Sequence, residues 1–136
     1  MSKLKKIADN IKNKKFDEAL KQCNSIDDKN EMHIICNFKG VIHLIKGNLE
    51  ESEKNFLNSL KIKSDYKDPI KNLYLVYLKK NNFKDLLFYA KKLTEIDKFN
   101  NEYNYQLAYA FELNNNLDEA KKYYELYLEQ NGNNKK

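Results

Sequence analysis

Along this chain, segments whose apolar residues recur every three or four positions alternate with short polar breaks. One such stripe begins at an aromatic or Leu anchor and returns four times, at Phe16, Leu49, Phe83 and Leu117, with intervals of 33, 34 and 34 residues. Three residues past each anchor stands Ala19, Ser52, Leu86 or Ala120. Four further on stands Cys23, Phe56, Ala90 or Tyr124, followed by Ile26, Ser59, Leu93 or Tyr127. Spacing of i, i+3, i+7 and i+10 puts these side chains on one face of an α-helix. Upstream of each anchor lies another stripe: Leu4, Ile7, Ala8 and Ile11; Cys36, Gly40 and His43; Ile70, Leu73, Tyr74 and Tyr77; Leu107, Ala108 and Phe111. The pattern predicts eight helices, near residues 2–13, 16–27, 31–46, 49–62, 68–80, 83–97, 101–114 and 117–131.

The breaks agree with this reading. Two residues before the anchors stand Lys14, Gly47, Asn81 and Asn115. Gly and Asn accept the left-handed backbone that ends a helix, so three of these four suit a tight turn. Acidic residues then open the next helix (Asp17-Glu18, Glu50-Glu51, Asp85, Asp118-Glu119), where the macrodipole favours negative charge. Asp68 and Pro69 read as the N-cap and first residue of the fifth helix.

These residues resemble the tetratricopeptide repeat family, whose unit is a helical hairpin of about 34 residues. The stretch Cys36 to Leu60 carries the resemblance best, with Gly40, Gly47, Leu49, Glu50, Glu51 and Phe56 in register. The last unit follows with Leu107, Ala108, Phe111, Leu117, Ala120, Tyr124 and Tyr127. In the first unit Lys6 and Asn10 take places where the family carries apolar residues, and its terminal Pro is missing from every unit. The resemblance implies an all-α fold, a right-handed α-solenoid of about four hairpins forming a superhelix. A single domain over 1–131 is expected, in units of about 1–31, 32–65, 66–99 and 100–131, with a polar tail over 132–136.

First helices of such a solenoid line a concave groove, so the resemblance implies a peptide or protein ligand there. Beside the core stripes, three first helices show a second set of positions: Asn37, Phe38, Val41 and Ile45; Lys71, Asn72, Leu75 and Leu78; Tyr105, Gln106, Tyr109 and Leu113. Residues 34–45 carry one charge, Lys39, so this helix is apolar nearly all round. Either these faces pack within the superhelix, or they form an exposed groove. Some family members clamp a chaperone's C-terminal carboxylate with Lys and Asn. The matching places here read Lys5, Asp9, Phe38, Asp68 and Asn72, where two carboxylates would repel that ligand.

Composition sharpens the choice of function. Three Gly and one Pro in 136 residues leave little material for a many-stranded sandwich or a phosphate-binding loop. All 25 basic residues are lysine and are balanced by 20 carboxylates, for a net charge of +5. Without arginine or a basic stripe, an RNA-binding helical repeat is the least favoured of the binding readings. The last helix shows Tyr123, Tyr124, Leu126, Tyr127 and Leu128, more apolar residues than one stripe needs. Tyr123, Leu126 and Tyr127 are therefore candidates for self-association, as in a scaffold that dimerises through its C-terminal helix pair.

Cys23, His33, Cys36 and His43 match no common zinc spacing, and no metal or cofactor is expected. No nucleophile or acid–base pair has a positioned partner, so no enzyme is expected. The N-terminal pattern lacks the apolar core of a signal peptide, and no segment could span a bilayer. The expectation is a cytoplasmic, non-catalytic protein-interaction module, alternatively a self-associating scaffold, without membrane or nucleic-acid partners.

Overall fold

A computed structural model describes residues 2–134 and, among them, shows helices joined by turns and no strand. The helices are α1 (Lys3–Lys12), α2 (Phe16–Ser25), α3 (Met32–Ile45), α4 (Leu49–Ile62), α5 (Lys67–Lys79), α6 (Phe83–Ile96), α7 (Asn101–Leu113) and α8 (Leu117–Asn134). Every boundary falls within three residues of its expected place. α5 starts one residue early, so Asp68 sits in its first turn instead of capping it. There the Asp68 carboxylate takes a hydrogen bond from the Tyr66 hydroxyl. α8 runs through Asn134, into the stretch read as a polar tail, because each further helical residue adds a backbone hydrogen bond. The tail's last residues, Lys135 and Lys136, lie outside the described residues.

Four turns of one design join the helices of each hairpin. The second residue past the first helix takes a left-handed backbone: φ is 62° at Lys14, 83° at Gly47, 57° at Asn81 and 61° at Asn115. The next residue donates its N–H to a carbonyl five positions back, as in Lys15 to Asn10 at 2.8 Å and Asn116 to Phe111 at 2.9 Å. Its own carbonyl then accepts the first hydrogen bond of the second helix, from Ala19, Ser52, Leu86 or Ala120. This pairing is the Schellman closure of a helix end. Lys14 was the break residue without a left-handed preference, and it adopts the conformation all the same. Two turn hydrogen bonds and the packing of α1 on α2 hold it there.

The chain divides into two compact units between Asn72 and Leu73, inside α5. In the first, α1, α2 and α3 surround Ile7, Ala19, Cys23, Ile35 and Ile42, all essentially buried. α3 meets α1, α2 and α4, and this many-sided packing accounts for its apolar character. It also shifts the buried set to Ile35, Asn37, Gly40 and Ile42, leaving Cys36 and His43 of the expected stripe only half-buried. Ala8, expected inside, is exposed. At Gly40 the α3 backbone packs against the Phe56 ring of α4. The serines of the α4 stripe are used as polar stitches across this contact. Ser52 Oγ donates to the Gly40 carbonyl at 3.0 Å, and Ser59 Oγ donates to the His33 carbonyl at 2.7 Å.

In the second unit α7 packs between α6 and α8 and buries Tyr103, Leu107, Ala108, Ala110 and Phe111. The end of α5 packs on α6 through Tyr77 and Tyr89, whose rings stack at 5.6 Å. Asn114 ties the unit's loops together, donating to the carbonyls of Phe83 and Ala110, both at 2.8 Å.

Candidate protein-interaction surfaces

The expected groove residues fall into two sets, one in each unit. In the first unit the α3 positions are mostly enclosed. Asn37 is buried and its side-chain oxygen accepts from Asn72 at 3.2 Å, so one amide-to-amide hydrogen bond lies inside the first unit. Phe38 packs against the first core, Val41 is half-buried, and Ile45 is 54% exposed. Lys71 is exposed. On α3 this face offers one open apolar side chain, Ile45.

The second unit is different. Leu75 and Tyr105 are exposed, while Leu78, Gln106, Tyr109 and Leu113 are half-buried. The Tyr105 ring lies 5.5 Å from that of Tyr124 and 5.2 Å from that of Tyr127, both on α8, at tilted angles that suit aromatic quadrupoles. Tyr124 donates its hydroxyl to Glu112 Oε1 at 2.7 Å, and Tyr127 donates to Glu102 Oε1 at 3.3 Å. Burial, and then the Glu112 carboxylate, raise the Tyr124 hydroxyl above the ordinary phenol range. Tyr74 stands nearby, its hydroxyl donating to the Gln106 carbonyl at 3.3 Å. Burial, helped by Tyr109 and Tyr105, pushes its pKa up to about 12. Local periodicity had brought out Tyr105 and Tyr109. It missed Glu102, Glu112 and the role of Tyr124, because carboxylates on a helix read as ordinary solvated charge until their partners on α8 are known.

The candidates for self-association take up internal partners. Tyr123 stacks on Phe111 at 5.7 Å with the rings 17° apart, and Lys122 lies over its ring at 5.5 Å. Tyr127 packs on Tyr105, and its carbonyl accepts from Asn101. Leu126 is half-buried. The open apolar side chains of α8 are Leu117 and Leu128, 63% and 65% exposed.

The cysteines and histidines do not assemble into a centre. His33 turns its ring edge-on to Tyr66 at 5.0 Å, and burial pushes the Cys23 thiol up to about 11. Among the described residues no three His, Cys, Asp or Glu side chains group as metal ligands, and no helix is long and apolar enough to cross a membrane. A cavity of about 220 Å³ beside Ile7 and Gln22 is lined by Lys3 and Lys6 and holds no acid–base pair.

With four like hairpin turns in place, the family model described as tetratricopeptide repeat matches residues 34–66 and 102–134. These two stretches are tetratricopeptide repeats. Solved structures superpose closely on this chain. "Crystal structure of MamA" aligns with a TM-score of 0.84 and 16% identity, over 97% of this chain and 78% of that one. "Crystal structure of MamA protein" aligns at 0.81 and 17%, over 93% and 70%. "MamA RS-1 ArsTM double mutant" aligns at 0.80 and 14%, over 95% and 75%. At this identity the likeness is one of fold. No curated protein matches the sequence. Tetratricopeptide repeats support a role in protein–protein interaction or scaffolding.

Proposed function

We propose that the chain is a non-catalytic interaction module that takes a peptide or protein segment on the tyrosine-rich face of α7 and α8. The observation that carries this is Tyr105, a large aromatic side chain 45% exposed and held between two other tyrosines. Its orientation is set by packing before any partner arrives, so binding costs little rotamer entropy. A cytoplasmic setting accords with the two free cysteines. The test is affinity capture from the source lysate with the wild type and a Tyr105→Ala/Tyr109→Ala variant, with helicity checked by circular dichroism. Loss of the captured partner with helicity intact is the expected result. Equal capture by both proteins counts against this face.

A second reading, a self-associating scaffold, is favoured by Leu117 and Leu128, which leave apolar surface open along α8. Light scattering at dilute concentration decides it, since a strict monomer at every concentration rules it out.

A further inference from the structure

On α7, Glu102, Tyr105, Tyr109 and Glu112 recur at i, i+3, i+7 and i+10 and therefore share one face. Two of the four are carboxylates, and both are exposed. Each accepts a hydrogen bond from a tyrosine on α8, Glu102 from Tyr127 and Glu112 from Tyr124. Among the described residues neither is paired with a lysine. Between them the Tyr105 ring presents an open aromatic surface. The equivalent positions on α3 are Ile34, Asn37, Val41 and Leu44, which carry no charge. The last repeat is also the acidic one: residues 101–136 hold six carboxylates and four lysines in a chain whose net charge is +5.

We infer that this face binds a basic segment of a partner protein, with two lysine or arginine side chains bracketing an apolar residue. The inference rests on the interaction-surface reading and specifies its ligand. The face offers two kinds of contact. Carboxylates without a counter-ion attract the two cations, and the exposed Tyr105 ring takes up the apolar residue between them. The tyrosine hydroxyls hold each carboxylate in place, so a ligand need not order it. Ten residues of helix separate Glu102 from Glu112 by about 15 Å along the axis. An extended peptide rises about 3.3 Å per residue, so its two basic residues stand about four or five positions apart. The apolar residue between them lies over Tyr105.

An array of extended heptapeptides tests this directly with the full-length chain. Lysine, glutamate or serine occupies the first and fifth positions around varied apolar centres, and Kd is then measured by fluorescence anisotropy. Lysine peptides are expected to bind, more weakly as salt rises. A Glu102→Gln/Glu112→Gln variant, whose amide oxygens can still accept from the tyrosines, is expected to lose about tenfold in affinity. Equal binding of serine or glutamate peptides, or an unchanged Kd in the double variant, overturns the basic-ligand inference. In that case sensitivity to Tyr105→Ala still supports the surface itself. If no peptide responds to Tyr105→Ala, both fail. Dimerisation of the chain alone that the Gln variant abolishes assigns the face to a second copy and overturns a separate basic partner.

Discussion

The ring of Phe56 fills the space that a side chain on Gly40 would need. At the same register in the next two repeats, large and small exchange: Tyr74 stands with Ala90, and Ala108 with Tyr124. One of the two helices must yield volume where a hairpin closes, and either can do so. Gly40→Ala is expected to cost about 1–3 kcal/mol through overpacking, and Phe56→Ala about 3–5 kcal/mol through the cavity left behind. In the double variant the smaller residue makes room for the new Cβ. Urea denaturation should therefore show a double loss smaller than the sum by about 1 kcal/mol or more.

Lys14 and Gly47 hold the same left-handed turn position with opposite intrinsic preferences. Lys14→Gly relieves the Cβ contact and is expected to stabilise the chain by about 1 kcal/mol. Gly47→Ala introduces that contact, with no neighbour within reach, and is expected to destabilise by a similar amount. Thermal melts of the two variants, moving in opposite directions, check the pair.

Asn72 donates to the side-chain oxygen of the buried Asn37 at 3.2 Å. Asn72→Ala removes that donor from a buried acceptor and is expected to cost about 1–3 kcal/mol. Replacing both by Leu removes the need for a partner, and chemical denaturation should show a smaller loss than in the single variant.

Burial, followed by the Asp68 carboxylate, pushes the Tyr66 hydroxyl up to about 12. Burial likewise pushes Tyr74 up to about 12 and raises Tyr124. The folded chain holds these protons more tightly than the unfolded chain, whose phenols titrate near 10. Stability from this source is at its full value below about pH 10 and falls as pH rises towards 12. Tyrosinate absorbance followed together with helicity should show a late-titrating group that ionises as the helices melt. Titration of all tyrosines near pH 10 in a fully helical chain would contradict it.

Thiol chemistry offers a check on the first core. Burial pushes Cys23 up to about 11 and raises the half-buried Cys36. At neutral pH both are overwhelmingly thiols, and Cys23 is also shielded from reagent. Alkylation of the native chain is expected to be slow at Cys36 and slower at Cys23, with both reacting fully in denaturant. Rapid native labelling of Cys23 would show that α2 does not pack as described.

Local information in the amino-acid order determined the helices, their borders and the hairpin turns, because helical periodicity and left-handed Gly or Asn act over a few neighbouring residues. The return of one stripe at 33 or 34 residues was enough to indicate the repeat family. What a side chain does once the helices pack was decided by tertiary structure. Asn37 and Phe38 looked like groove residues on their own helix, but Asn72 and the first core claim them. Ser52 and Ser59 fell on the α4 stripe, and their hydroxyls stitch α4 to α3. Glu102 and Glu112 gain their hydrogen-bond partners only because α8 brings Tyr127 and Tyr124 beside them. Each of these roles depends on a contact between helices, and no spacing along a single helix encodes it.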